Sequence, residues 1–181
     1  HADPRFIHLV LREGKVMRTG SLSLLTRMPN GMVCNNAGID AFGVGQDEVC
    51  LLPVDPDESA KVLLTYLGLP VVISDTQSRW YRAGVTNVAI GSWGLAPIQS
   101  YIGQSDAFGN VLQKTAIAVV DELATAADLV MGKTDGIPAA VVRGYPYTPA
   151  LEDAKIINDS RRYSQMEIAH GLNNKPTNGS N

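Results

Sequence analysis

The sequence predicts a mixed α/β or α+β protein, neither all-α nor all-β, and three observations carry that expectation. Helix-start and helix-stop signals recur along the chain, and short aliphatic runs of strand length lie between them. Hydrophobic residues make up 45% of the 181 residues against 18% charged, enough for a core of domain size and too apolar for a disordered or fibrous chain.

The elements follow in order. Asp3 before Pro4 is an N-cap with proline at the first helical position, and Gly14 closes that helix. Ser21 to Arg27 and Met32 to Asn35 read as strands around a Pro29-Asn30-Gly31 turn. Asp55-Pro56-Asp57-Glu58 has the form of a capping-box start, for a helix ending near Gly68. Val71-Val72-Ile73 reads as a short buried strand that delivers Ser74, Asp75 and Thr76 at its end. A long helix is expected from about Thr115 to Met131, with apolar residues at 116, 119, 120, 123, 127 and 130 and Gly132 as its stop. Ile137 to Arg143 reads as another aliphatic strand, and the region from Pro149 to His170 as helical.

Charge narrows the function classes. Lys and Arg number 15 against 18 Asp and Glu, a net charge of −3 with no basic run, so neither nucleic acid nor an anionic membrane finds a footprint. No apolar run reaches the ~18–20 residues of a membrane span, and His1 to Arg5 lacks the basic-then-apolar order of a signal peptide. A soluble cytoplasmic protein is the expectation. Between Gly84 and Val120 the only acidic or basic side chains are Asp106 and Lys114, so that stretch is expected in a core or a subunit interface. Cys34 and Cys50 are too few for a disulfide scaffold, lack metal-site spacing, and read as buried free thiols.

Familiar motifs fail on inspection. Gly132-Lys133-Thr134 has the ending of a P-loop, but the position for its first glycine is Ala127, and a helix rather than a strand precedes it. Gly43-Val44-Gly45 lacks the third glycine of a dinucleotide loop. Ser92 has Ile90 two positions before it, so it is no nucleophile elbow. The histidines show no ligand spacing, and His8 reads as a partly buried helix residue.

What survives is a set of acids at the expected element ends. Asp40 follows the turn-prone Asn35-Asn36-Ala37-Gly38-Ile39, and Asp75 is followed by Thr76. Carboxylates and a hydroxyl presented together suit Mg²⁺ or Mn²⁺, which take oxygen ligands and share them with substrate phosphates. Arg79 and Arg82, just downstream, suit phosphate or carboxylate oxygens. The plainer reading of the same residues is that the acids are caps and the arginines solvated.

A resemblance decides between them. Asn36-Ala37-Gly38-Ile39-Asp40, Leu51-Leu52-Pro53-Val54-Asp55-Pro56-Asp57 and Ile73-Ser74-Asp75-Thr76 occur in the order of the coenzyme F-420-0:L-glutamate ligase family. Arg79-Trp80-Tyr81-Arg82-Ala83-Gly84, Val88-Ala89-Ile90-Gly91, Tyr101-Ile102-Gly103, Asp106 and Gly109 continue it. Ala118 to Ala124, Leu129-Val130-Met131-Gly132, Asp135 to Ala139 and Val142-Arg143-Gly144 complete it, so the chain resembles the family over about residues 5 to 145.

The resemblance implies an α+β fold with mixed sheets, packed helices and an intertwined homodimer, which would explain the uncharged 84–120 stretch. It implies a ligase-like core over 1–148; outside the resemblance, the polar composition after Pro149 reads as a helical extension over 149–172 and a disordered tail over 173–181. It further implies a GTP- and divalent-metal-dependent ligase that activates a carboxylate of a deazaflavin coenzyme precursor as an acyl phosphate, which the amine of L-glutamate then attacks. By motif position Asp40 and Asp75 would hold one Mg²⁺ or Mn²⁺ and Thr76 a second. Arg79 and Arg82 would clamp phosphate or substrate carboxylate. Met131, Gly132, Lys133, Thr134, Asp135 and Gly136 would lie against the nucleotide.

Four departures stand out. The family's further N-terminal segment, with its nucleotide contacts, has no counterpart here, as in a fragment or a shortened homologue. Phe42 and Gly43 replace a small polar residue and an asparagine, and Gln77-Ser78 interrupts the run between Thr76 and Arg79. The acid expected as a second-metal ligand falls at Lys133, whose ammonium has three donors and no acceptor. Lys133 could take the second cation's place and hold phosphate directly, or Asp135 could move in. The expectation is thus a working glutamate ligase, with a degenerate metal- or nucleotide-binding dimer and a purely structural module as alternatives.

Overall fold

The computed structural model describes residues 3–20, 23–41, 44–45, 47–79 and 82–150. Among these residues it is an α+β arrangement of three α-helices and three small sheets, in which every ladder is antiparallel. The chain order is α1 (Pro4–Glu13), β1 (Lys15–Thr19), β2 (Leu24–Arg27), β3 (Val33–Asn35), α2 (Pro56–Leu67), β4 (Val71–Ser78), β5 (Val85–Trp93), β6 (Ile98–Ser100), β7 (Ala116–Ala118) and α3 (Val119–Met131).

Local chemistry sets the helix limits as expected. Asp3 accepts the Arg5 amide at 2.8 Å, and Gly14 donates to Val10 O where α1 ends. Asp55 accepts the Glu58 amide at 3.0 Å at the start of α2, and Gly68 ends it with φ 65°. Gly132 stops α3, donating to Asp128 O at 3.0 Å. In the β2–β3 turn Gly31, at φ 95°, donates to Met28 O at 2.9 Å.

Strand limits depart from the expectations. The strand expected from Val71 to Ile73 runs on to Ser78, because Ser74 to Ser78 pair residue for residue with β5. Asp75 and Thr76 therefore sit inside a strand, not at its end. The helix expected from Thr115 begins at Val119, because Ala116 to Ala118 pair with β6 instead. Ile137 to Arg143 forms no strand: its aliphatic side chains find no partner strand among the described residues, and Val141 is 64% exposed. His8 lies on the exposed face of α1, and Cys50 is exposed while Cys34 is buried. The sequence expectations at Phe42 and Gly43, and over 151–181, fall outside the described residues.

The β4–β5 ribbon is the centre of the molecule. Its one irregularity follows the pairs Ile73↔Gly91 and Ser74↔Ala89, which leave Ile90 as the extra residue of a bulge. Two helices close the ribbon's outer edge: Asp121 of α3 accepts the Ala89 amide, and Asp57 of α2 accepts the Ser92 amide, both at 2.9 Å. Helix α2 approaches so closely that a Cβ on Gly91 would lie 2.5 Å from the Pro56 carbonyl carbon. On one face of the ribbon Ala89 packs with Leu95 and Val120, flanked by Val72 and Leu123. On the other, Ile90 packs with Met32 and Cys34, flanked by Ile73 and Leu52.

The uncharged stretch divides at this point. Ala89 to Leu95 contributes core, whereas Ile102 and Phe108 in the β6–β7 connection are 58% and 91% exposed in the single chain.

Candidate functional site

Asp40 is delivered by an unusual turn. Asn36, Ala37 and Gly38 all have positive φ, at 50°, 56° and 66°, a left-handed run that disfavours side chains. Two side chains hold it. The buried Thr26 hydroxyl accepts the Ala37 amide at 2.8 Å while donating to Cys34 O at 2.9 Å, and Asn36 Oδ1 accepts the Leu24 amide at 2.9 Å. Helix α1 packs Val10 against Ala37 and Ile39 from outside. Beyond the turn, Asp40 exchanges backbone hydrogen bonds with Cys50 at 3.0 and 2.8 Å, and its carboxylate side faces solvent.

Side chains then tie this unit to the ribbon. Gln77 Nε2 donates to Val33 O at 2.9 Å, and Asn35 Nδ2 donates to Ser78 Oγ at 2.6 Å. Strand alternation places Ile73, Asp75 and Gln77 on the side facing β3. Asp75 is half-buried there, and its pKa is raised, first by burial and also by the nearby Asp40 charge. The Thr76 amide and the Lys133 ammonium act in the opposite sense.

The next residue faces the other way. Thr76 is paired with Asn87 in the register, and its hydroxyl donates to Asn87 Oδ1 at 2.9 Å on the α3 side. Lys133, just beyond the Gly132 stop, turns back over the end of α3 and donates to Thr76 Oγ1 at 2.9 Å and Asn87 Oδ1 at 3.1 Å. It also stands 3.0 Å from Asp128 Oδ1 as an ion pair. Asn87 and Asp128 were not singled out by sequence reasoning. Asn87 could have been, as the one amide side chain inside the strand Val85–Trp93.

The structure thus places Asp75 within electrostatic reach of Asp40 on the β3 side of the ribbon, and Thr76 against Lys133 on the α3 side. Arg79 and Arg82 stand apart in the β4–β5 connection, where Arg79 Nη2 reaches Ala83 O at 3.5 Å and the Arg82 amide donates to Arg79 O at 3.4 Å. Met131 ends α3 half-buried, and Gly132, Thr134, Asp135 and Gly136 are exposed beside Lys133. Asp135 Oδ2 folds back to within 3.5 Å of where a Cβ on Gly132 would lie.

The donor set fits a hard divalent ion of one particular kind. No group of three or more His, Cys, Asp or Glu side chains that could hold a metal gathers among the described residues, so no closed protein cage is present there. Two carboxylates whose charges oppose each other, with phosphate completing the shell, is how Mg²⁺ is usually held.

A sequence model of the family described as F420-0:Gamma-glutamyl ligase matches residues 1–144. The chain is similar to a protein of Methanothermobacter thermautotrophicus named coenzyme F420:L-glutamate ligase, 43% identical over 162 residues, covering 85% of this chain and 64% of that protein. Proteins of the same name from Methanopyrus kandleri and Natronomonas pharaonis are 41% and 44% identical, over 83% and 80% of this chain and 62% and 58% of theirs. The chain therefore spans less than two thirds of the length of these relatives.

Proposed function

The chain belongs to the F420-0:Gamma-glutamyl ligase family, and from that premise we propose that it is the core of a GTP- and divalent-metal-dependent ligase. The reaction joins L-glutamate to a carboxylate of a deazaflavin coenzyme precursor. The carboxylate oxygen attacks the γ-phosphorus of GTP, GDP leaves, and an acyl phosphate forms. The glutamate amine then attacks the acyl carbon, inorganic phosphate departs, and a proton passes from nitrogen to water as the amide forms.

The observation that carries this reading is the placement of Asp40 and Asp75 within electrostatic reach of each other on one side of the β4–β5 ribbon, with Lys133 held on Thr76 at the other. In this reading Asp40 and Asp75 hold Mg²⁺ or Mn²⁺ on the β3 side, and Thr76 presents its hydroxyl on the α3 side. The ion, when bound, would neutralise phosphate charge during transfer. Lys133 adds a fixed positive charge on the α3 side, and the Met131 to Gly136 segment would line the nucleotide. Arg79 and Arg82, in the connection at the ribbon's end, clamp the far end of the substrate through phosphate or carboxylate oxygens.

An intertwined homodimer belongs to the same proposal. Tyr66, Phe108 and Leu129 are 83%, 91% and 87% exposed in the single chain, large apolar side chains of the kind a second copy would cover. A cytoplasmic location goes with it, as the compartment that supplies GTP. No helix among the described residues is long and apolar enough to cross a membrane.

Calorimetric titration of GDP and then ADP, with and without Mn²⁺, tests the reading. Metal-dependent binding of GDP in preference to ADP is expected, and Asp75→Ala should abolish the metal dependence. Binding of neither nucleotide by a folded dimer would favour the second reading, a metal-binding dimeric module without turnover. What favours that alternative is Lys133, whose ammonium stands where the family pattern has an acid and already occupies the oxygens of Thr76 and Asn87.

A further inference from the structure

The α3 side of the ribbon carries an oxygen-rich cradle that is already filled. Thr76 Oγ1 on β4, Asn87 Oδ1 on β5 and Asp128 Oδ1 in the last turn of α3 lie 2.9, 3.1 and 3.0 Å from Lys133 Nζ. A hydroxyl, an amide oxygen and a carboxylate are the ligand types of a hard cation. Asn87 is only 5% exposed. The buried Asp128 Oδ1 accepts no hydrogen bond, so the ammonium charge beside it is what offsets its burial. The exposed end of α3 adds its negative dipole end to the same spot. Thr76 donates to Asn87 and accepts from Lys133, so the hydroxyl is oriented as well as occupied.

We propose that Lys133 is a built-in cation: it fills this cradle permanently, so the chain binds a single divalent ion, on the Asp40–Asp75 side, and supplies the charge on the other side itself. The count of one rests on the metal reading above, whereas the filled cradle stands on its own geometry. A lysine that merely capped α3 would leave metal stoichiometry untouched when replaced.

Counting Mn²⁺ by calorimetry and by electron paramagnetic resonance tests the proposal. Wild type should bind one ion per chain, Lys133→Met two, and Lys133→Met with Asp128→Asn one again. Two ions in wild type, or an unchanged count in a folded Lys133→Met, would overturn it. Should Lys133→Met fail to fold, Lys133→Gln takes its place with the same expectation. A second readout needs no variant: reductive methylation of Lys133 in wild type, followed by mass spectrometry, should proceed at the same rate with and without Mn²⁺. Acceleration by Mn²⁺ would mean that the ion displaces the ammonium, and would also overturn the proposal. A wild type that binds no ion while Lys133→Met binds one would refute the Asp40–Asp75 metal reading and uphold the filled cradle.

Discussion

The Thr26 hydroxyl reaches eleven residues along the chain to accept the Ala37 amide at 2.8 Å. That bond joins a fully buried strand residue to the middle of a left-handed run, and Asp40 follows two residues beyond the run's end. Left-handed backbone at non-glycine residues is disfavoured by roughly 1–2 kcal/mol each, so the turn keeps its shape only while its supports remain.

Thr26→Val tests this support, because it keeps the shape and removes the acceptor. The orphaned Ala37 amide should lower stability by about 1–3 kcal/mol in denaturant titration. Mn²⁺ affinity should also fall, since Asp40 loses its fixed approach. A stable variant with wild-type metal affinity would show that the turn needs no such anchor.

Asp75 gives a prediction with a definite pH sign. Burial and the Asp40 charge raise its pKa, so the fold disfavours its ionised form. The contribution of this group is most favourable below the ordinary carboxylate range, and it is lost as pH rises through the raised value. Asp75→Asn should therefore melt higher than metal-free wild type at pH 7, with the gap shrinking as pH is lowered towards 4. Metal affinity should fall by at least the ~10–100-fold that changes outside the ligand shell produce. Asp3 and Asp106, whose pKa values are lowered by hydrogen bonds from Arg5 and from Asn110, act in the opposite sense in both proteins and cancel from the difference. A melting gap independent of pH would contradict the assignment.

Gly91→Ala should be poorly tolerated. The added methyl would lie 2.5 Å from the Pro56 carbonyl carbon, so α2 must move off the ribbon and loosen the Asp57–Ser92 bond. Overpacking of this kind typically costs about 1–3 kcal/mol, measurable as a lower denaturation midpoint. An unchanged midpoint would mean that α2 is free to slide.

The two thiols should separate cleanly under iodoacetamide. Cys34 is buried, and burial pushes its pKa up to about 11 despite the Thr26 hydroxyl nearby, with the Asp75 charge adding to the rise. Cys50 is exposed. Native protein at pH 8 should be alkylated at Cys50 alone, with Cys34 reacting only in denaturant. Peptide mass mapping reads the result, and rapid native labelling of Cys34 would contradict its burial.

Helix ends were the most legible part of this chain. Asp3, Asp55, Gly68 and Gly132 each act through a hydrogen bond or a dihedral angle of their own residue, so local sequence suffices. The central strands were harder to read. Val85–Trp93 is buried by α2 and α3 along with the β3 unit, so it shows no alternation of apolar and polar residues. Ala116 to Ala118 looked like the start of a helix because alanine and isoleucine fit a helical stripe, and only the distant β6 makes them a strand. Asp40, Asp75 and Thr76 could be picked out as candidates, but which way each points could not, because strand length decides it. Asn87 and Asp128 matter through Lys133, which lies 46 residues from the first in sequence, a distance no local pattern spans.

Adjacent positions of β4 serve opposite sides of one ribbon, and this limits how the gene can change. A one-residue insertion or deletion between Val71 and Asp75 would rotate everything after it by half a turn about the strand. The carboxylate would then point at α3 and the hydroxyl at β3, exchanging the two sides of the ribbon without altering a single functional residue. The length of Val71–Ser78 is thus what decides which side of the ribbon each of its residues serves. Length variation is left to the connections at either end, where no side chain has to choose between two faces.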